Sequence, residues 1–278
     1  MPADSQYSYE DLQELTPETL KKISDFLKSE CGIHVEENKK TLIESRLLKR
    51  LREFSFNSFQ DYFDYLVKSE EEKQFFINSM TTNKTEFFRE SYQFDYLIER
   101  VKKKRPPEGQ FWSLWSAASS SGEEAYTLAM ILDQVKNHHF GHDFRILGTD
   151  IDTEVLKKAG RGIYPPEKVK EQVPEQFSSY FHQHYTGDYL VDANLMRRVK
   201  FRSHNLIRES FPFEGFFDFI FLRNILIYFD PPTVEAVINK LKRNLRVGGL
   251  LFLGASEALP ENYKGLKQVE SSVYERIK

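Results

Sequence analysis

Trp115-Ser116-Ala117-Ala118-Ser119-Ser120-Ser121-Gly122-Glu123-Glu124 joins an apolar, strand-favouring run over residues 111–117 to a helical pattern over 122–136. Ala125, Leu128, Ala129 and Leu132 fall on one face of that helix. The six small residues from Ser116 to Ser121 let a backbone approach a ligand closely, and the N–H groups of the turn and of the helix start are donors. A tight strand–helix turn capped by Ser121 is the plainer alternative, since no G-x-G-x-x-G is present. One strand–helix unit later, Gly148-Thr149-Asp150-Ile151-Asp152 closes a second strand (144–149) and opens a helix (153–159). A carboxylate at that point suits the paired hydroxyls of a ribose. It equally suits a helix N-cap, a role that fits Asp152 better than Asp150. Together the two loops point to a nucleoside-type ligand.

Working outward, strands continue over 200–204 and 217–222, the latter the most hydrophobic. A helix follows over 233–245, and runs at 250–255 and 272–277 read as a closing hairpin. Strands alternating with helices predict an α/β fold, a mostly parallel sheet with helices on both faces. Between about 160 and 200 the order breaks at Pro165, Pro166 and Pro174, and the stretch reads as an inserted small β subdomain. Before residue 80 the pattern is all-helical. Thr16-Pro17 opens one helix, and others are expected over 37–54, 58–68 and 71–80. The second has an apolar face of Ile43, Leu47, Leu51 and Phe54 beside a basic stripe of Lys39, Arg46, Lys49 and Arg50. The expected domains are therefore a helical one over 1–80, a linker helix over 81–110 and the α/β domain over 111–278.

Composition narrows the function. With 40% hydrophobic and 29% charged residues among 278, the chain has material for a real core and is not disordered. Lys and Arg number 39 against 42 Asp and Glu, so the net charge of −3 disfavours a general nucleic-acid binder. Cys31, the one cysteine, can form neither an internal disulfide nor a thiolate metal site, which fits the cytoplasm. Residues 1–15 have neither a basic start nor an apolar run, so no signal peptide is read, and no stretch has 18 consecutive apolar residues.

Directly after the 217–222 strand come Arg223, Asn224 and Tyr228, then Asp230-Pro231-Pro232-Thr233. Polar groups at that point either cap the sheet or line a site. The last four residues superficially resemble the Asp-Pro-Pro-aromatic loop of nucleic-acid amino-methyltransferases, but Thr233 lacks the ring that would stack on a flipped base.

Five blocks in order resemble the chemotaxis receptor glutamate methyltransferases, the CheR family. They are Met80-Thr81-Thr82-Asn83-Lys84-Thr85-Glu86-Phe87-Phe88-Arg89-Glu90; Trp115-Ser116-Ala117-Ala118 through Gly122-Glu123-Glu124; Thr149-Asp150-Ile151-Asp152-Thr153-Glu154-Val155-Leu156; Phe221-Leu222-Arg223-Asn224 through Tyr228-Phe229-Asp230; and Gly248-Gly249-Leu250-Leu251-Phe252 with Ser256-Glu257. Ala125 stands where the family usually has Pro. The resemblance implies a Rossmann-like methyltransferase that uses S-adenosylmethionine, releases S-adenosylhomocysteine and esterifies glutamates on the cytoplasmic helices of chemoreceptors. It implies that Asn83, Thr85 and Arg89 contact the cofactor from the linker, and that Glu124, or its neighbour Glu123, faces the methionine part. By the same pattern Asp150 binds the ribose, Asn205 and Leu206 flank the adenine, and Arg223 and Asn224 close the site. Arg89 and Tyr228 are its candidates for orienting the substrate carboxylate.

That chemistry agrees with the residue inventory. A free glutamate, with a pKa near 4.3, is already an ionised nucleophile at neutral pH, so no metal, general base or enzyme nucleophile is needed. Alignment is what the protein must supply. A nucleic-acid methyltransferase and a non-catalytic cofactor-binding module are the rivals; the charge balance disfavours the first, and the presence of Arg89 and Tyr228 the second. The expected partner is a receptor helix bundle, met by a monomer without nucleic acid or membrane insertion. The basic stripe, with Arg46 and Arg50, is a candidate steering surface. The stretch from Phe181 to Leu190 has a single glycine, Gly187, and is shorter than the Gly-rich loop of family members that capture a receptor tail peptide, so no tail tether is expected.

Overall fold

The computed structural model describes residues 14–35, 39–106, 110–138, 142–211 and 216–278. The chain divides into two compact units, residues 1–82 and 83–278.

The first unit is helical. Helix α1 (Pro17–Cys31) starts where the Thr16 hydroxyl accepts the Thr19 N–H and ends at Gly32, whose φ of 76° continues the chain out of the helix. Helices α2 (Lys40–Glu53), α3 (Phe59–Leu66) and α4 (Glu70–Met80) follow, the last two capped by the Ser58 and Ser69 hydroxyls. Glu37, the expected start of α2, lies outside the described residues. Ile43, Leu47 and Leu51 are buried as expected, but Phe54 is not a core residue. It is the C-cap, where the helical period stops, and its half-exposed ring lies under the Arg50 guanidinium at 4.5 Å.

The second unit begins with an irregular segment, residues 83–91, and helix α5 (Tyr92–Lys103). Helix therefore occupies only part of the 81–110 stretch. Strand β1 (Trp112–Ala117) leads to helix α6 (Glu123–His138), strand β2 (Phe144–Asp150) to helix α7 (Thr153–Arg161). The insertion then holds β3 (Ile163–Tyr164), α8 (Pro166–Gln172), β4 (Phe181–Gln183), β5 (Tyr189–Val191) and α9 (Ala193–Arg198). Strands β6 (Val199–Ser203) and β7 (Phe217–Leu222), helix α10 (Pro231–Asn244), and strands β8 (Leu245–Leu253), β9 (Leu266–Glu270) and β10 (Val273–Arg276) complete the unit.

The main sheet has the order β6-β2-β1-β7-β8-β10-β9. The pairs among β6, β2, β1, β7 and β8 are parallel, while β10 runs antiparallel to both neighbours. Every residue of β1 and of β7 is buried, because helices cover both faces. Alternation sorts their side chains: Leu114, Phe219 and Phe221 pack with α5 and α6, and Trp115, Ile220 and Leu222 with α10. The closing pair read from sequence is not a hairpin. β8 and β10 do pair, but β9 intervenes in the chain and takes the outer edge. Its Lys267, Gln268 and Glu270 are exposed, so it has no apolar alternation to read. A second, antiparallel sheet, β3-β5-β4, is the inserted β subdomain.

From β1 the chain steps outward through β2 to β6, then returns to the far side of β1 for β7. The direction of winding thus reverses between β1 and β7. Beyond the carboxyl ends of those two strands the flanking loops diverge, leaving a crevice.

Candidate active site

Five strand ends deliver loops to this crevice: Ser116–Gly122 after β1, Asp150 after β2, His204–Leu206 after β6, Arg223–Asn224 after β7 and Gly254–Glu257 after β8. Residues 83–91 lie across them as a strap. Phe88, Glu90, Ala118, Ser120 and Asn224 have φ between 48° and 75°, five of the eight non-glycine residues with positive φ among those described. Such backbone costs energy and persists only where surrounding contacts fix it.

One hydrogen-bond network sits at the start of the strap. Asp150 is buried, and its two oxygens accept the N–H groups of Ser120 (2.8 Å) and Asp152 (2.9 Å). The Ile151 N–H also bonds this carboxylate, which keeps acceptor capacity for a hydroxyl donor. Burial outweighs those N–H bonds and pushes the carboxyl up to about 6. Asp152 instead caps α7, accepting from Glu154 N and Val155 N. Its second oxygen accepts from Asn83 Nδ2 at 2.6 Å, and the Asn83 carbonyl accepts from the Ser120 hydroxyl at 3.1 Å. The strap is thereby tied to both the β1 and the β2 loops.

A second network lies at the strap's other end. The Arg223 side chain is 3% exposed and makes three connections. It donates to Glu124 (3.2 Å), to Glu90 (3.1 and 3.3 Å) and to the Arg89 carbonyl. Glu124 also accepts from the Ser116 hydroxyl at 2.6 Å. Burial raises the Glu124 carboxyl above its usual range despite Arg223 and Ser116. For Glu90 burial also raises the pKa, but Arg223, Asn224 and the Ala255 N–H together hold it below the ordinary value. The choice between Glu123 and Glu124 is visible in the geometry. Glu123 turns to Ser121 and to Lys168 of α8, whereas Glu124 turns to the crevice side, to Arg223.

Of the residues singled out from sequence, Asn83, Glu124, Asp150, Arg223 and Asn224 belong to these networks through their side chains. Arg89 joins through its carbonyl. Its side chain is 32% exposed, donates to the Lys84 carbonyl at 3.3 Å and lies 4.0 Å from the Glu90 carboxylate. Thr85 is half-buried on the strap, and Tyr228, also half-buried, ends the short turn Leu226–Tyr228; neither side chain joins a network. Asn205 stands next to the Asp150 end, through His204 N and the Asp150 carbonyl (3.0 Å). Its amide oxygen is engaged locally, accepting Ile207 N and Arg208 N, and Leu206 packs half-buried on the α10 side.

Two carboxylates were not singled out. Glu90 is one. Glu257 is the other, buried and accepting three backbone N–H groups: Gly254 (2.7 Å), Leu226 (2.8 Å) and Asn224 (2.9 Å). It fixes the bend after β7 that presents Arg223. Gly254 is required beside it, because a Cβ there would stand 2.5 Å from Asn224 Nδ2 and 2.8 Å from its N. Both acids lie within the motif blocks quoted above, but their partners are remote in sequence.

Comparison with known proteins adds to this geometry. Residues 18–81 match the family described as "CheR methyltransferase, all-alpha domain", and residues 83–275 that described as "CheR methyltransferase, SAM binding domain". A chemotaxis protein methyltransferase of Borreliella burgdorferi is 35% identical over 270 residues, covering 94% of this chain and 95% of the relative. Those of Escherichia coli (36%) and Klebsiella aerogenes (38%) match over 85% of this chain and over 83% and 82% of their own lengths.

Proposed function

This chain belongs to the CheR methyltransferase family, and on that premise we propose that it transfers methyl groups from S-adenosylmethionine to glutamate side chains of chemoreceptors. The observation that carries this reading is the partly exposed Arg89 side chain, tied by a 4.0 Å ion pair to Glu90 and a 3.3 Å hydrogen bond to the Lys84 carbonyl, at a crevice where Arg223 is already engaged by Glu90, Glu124 and the Arg89 carbonyl.

The residues fit the cofactor. Its cationic and hydroxyl groups need acceptors, and the crevice offers two buried carboxylates, Glu124 and Asp150, at opposite ends of the strap. Asp150 would accept from the ribose hydroxyls and Glu124 would face the ammonium of the methionine part. Asn83 and Thr85 would cover it from the strap, Asn205 and Leu206 would border the adenine, and Arg223 and Asn224 would close the methionine end. When bound, the cofactor supplies a methyl group on a sulfonium, which a carboxylate attacks without further activation. The protein's own task is then alignment. Arg89 would grip one face of the incoming glutamate through a charged hydrogen bond, and the Tyr228 phenol would donate to one of its oxygens, leaving the other free. Arg223 is unsuited to that grip, because Glu90, Glu124 and the Arg89 carbonyl already occupy it.

Among the described residues no helix is long and apolar enough to cross a membrane. The buried free thiol of Cys31 and receptor helices that lie inside the cell support a cytoplasmic enzyme. Labelled S-adenosylmethionine incubated with a soluble receptor fragment should give base-labile label, the mark of a methyl ester, absent when the acceptor glutamates are replaced by alanine. Base-stable label, or label entering nucleic acid instead, would refute the reading.

A further inference from the structure

We infer that Glu90 is a positioning residue for methyl transfer, acting through Arg223 to set Arg89 over the crevice. The inference deepens the function proposed above and rests on it. Glu90 immediately follows Arg89 and has a φ of 57°, a conformation that an L-residue holds only under restraint. The restraint is its carboxylate. One oxygen accepts from Asn224 Nδ2 at 3.1 Å; the other accepts from Arg223 Nη2 at 3.1 Å and from the Ala255 N–H at 3.0 Å. These donors stand at the ends of β7 and β8, so a single carboxylate fastens the strap to two neighbouring strand ends. Arg223 then donates to the Arg89 carbonyl with the same guanidinium. The Arg89 carbonyl is thus held by Arg223, while the Arg89 side chain, 32% exposed, is steered by a 3.3 Å hydrogen bond to the Lys84 carbonyl and by Glu90 itself, 4.0 Å away.

The two carboxylates around Arg223 have separable duties. Glu124 keeps its bond to the Ser116 hydroxyl, on β1, whatever happens to Glu90. The Asp150 end of the strap has its own ties, through Asn83, Asp152 and Ser120. Loss of Glu90 should therefore disturb the Arg89–Arg223 end of the crevice most and leave the ribose end at Asp150 in place. A residue that merely supported the fold would move both ends together.

Glu90→Gln keeps size and removes charge. One amide side then turns donor, against either Asn224 or the Arg223–Ala255 pair. With a soluble chemoreceptor fragment as substrate, kcat should fall about 10–100-fold, the loss expected for a charged hydrogen bond. The affinity for S-adenosylhomocysteine, by calorimetry, should fall by a far smaller factor than kcat, because Asp150 and Glu124 keep their own ties, and the thermal midpoint should stay near wild type. The double variant Glu90→Gln with Arg223→Gln should lose less than the product of the two single losses, because one acts through the other. Should Glu90→Gln not fold, Glu90→Asp, which retracts the charge by one methylene, should show the same split between kcat and cofactor affinity. Unchanged kcat, cofactor affinity falling in step with kcat, or an additive double variant would each overturn the inference. A wild-type enzyme that methylates no receptor would instead overturn the function on which it rests.

Discussion

Asp150 is buried, and the ribose-binding role proposed for it calls for the charged form; the two pull its titration in opposite directions. Its carboxyl is pushed up to about 6 by burial, against roughly 3.9 in an unfolded chain. Below pH ~4 both states are protonated and burial costs little. Between ~4 and ~6 the unfolded chain releases its proton first, so stability falls as pH rises, by on the order of 3 kcal/mol from this group. Cofactor binding should show the reverse trend, since ribose hydroxyls donate to the ionised form. Affinity for S-adenosylhomocysteine should therefore rise as pH increases through about 6 and level off above it. Calorimetry from pH 5 to 8 would show this in the wild type and a flat profile in Asp150→Asn. Asp150→Ala should weaken binding about 10–150-fold at neutral pH; an unchanged affinity would remove Asp150 from the ribose site. Asp150 was legible in the sequence because a strand-terminal acid is a local signal. Glu90 was not, since its partners Arg223, Asn224 and Ala255 stand 133, 134 and 165 residues away. Nor was the difference between Glu123 and Glu124, one residue apart and pointing to Lys168 and to Arg223.

At the scale of elements, legibility followed length and period. Buried strands and long amphipathic helices were readable, whereas β9, with its exposed polar residues, and the two- and three-residue strands of the insertion had no period to show. Helix α2 was read correctly on its apolar side except at Phe54 and misjudged on its basic side at Arg46 and Arg50. Arg50 is not a free surface charge: it donates at 2.6–3.0 Å to Glu72, whose side chain is 1% exposed and which also accepts the Tyr62 hydroxyl. Arg46 donates to the Met80 carbonyl at 2.6 Å. Charge patterning cannot separate a cation that steers a partner from one that neutralises a buried acid in another helix. Arg50→Ala should leave Glu72 buried without its cation and destabilise the helical unit by about 3–5 kcal/mol, measured by denaturant titration. A loss under about 1 kcal/mol would mean that Glu72 finds water instead. More exposed cations are Lys39, at the start of α2, and Lys49, 86% exposed in a loose 3.9 Å pair with Glu53. Reversing both to Glu should raise the receptor KM at low salt and spare cofactor affinity, with the difference fading as salt screens it. Equal KM values at low salt would show α2 to be an ordinary solvated face.

At the scale of the whole molecule, the inserted sheet bears on how a receptor substrate would be held. Capture of a tail peptide by edge pairing depends on a strand long enough to offer several main-chain groups. Here β5 lies between β3 and β4, so the available edges are a strand of two residues and one of three. The turn between β4 and β5 is closed on itself. His184 N donates to the Asp188 carbonyl at 2.8 Å, Gly187 N to the His184 carbonyl at 3.0 Å, and the Thr186 hydroxyl to the Asp188 carboxylate at 2.8 Å. A micromolar complex needs about 8 kcal/mol. Hydrogen bonds contributing roughly 1 kcal/mol each, over two or three residues, fall well short of it. Direct docking on the methylated helices is then the proposed route to the glutamates. Removing the C-terminal pentapeptide from a tail-bearing receptor should leave its methylation KM unchanged within about twofold, and the isolated pentapeptide should show no micromolar binding by calorimetry, because the edge cannot supply that energy. A tenfold rise in KM on truncation, or peptide-induced NMR shifts centred on β4 and β5, would establish a tether that this short sheet argues against.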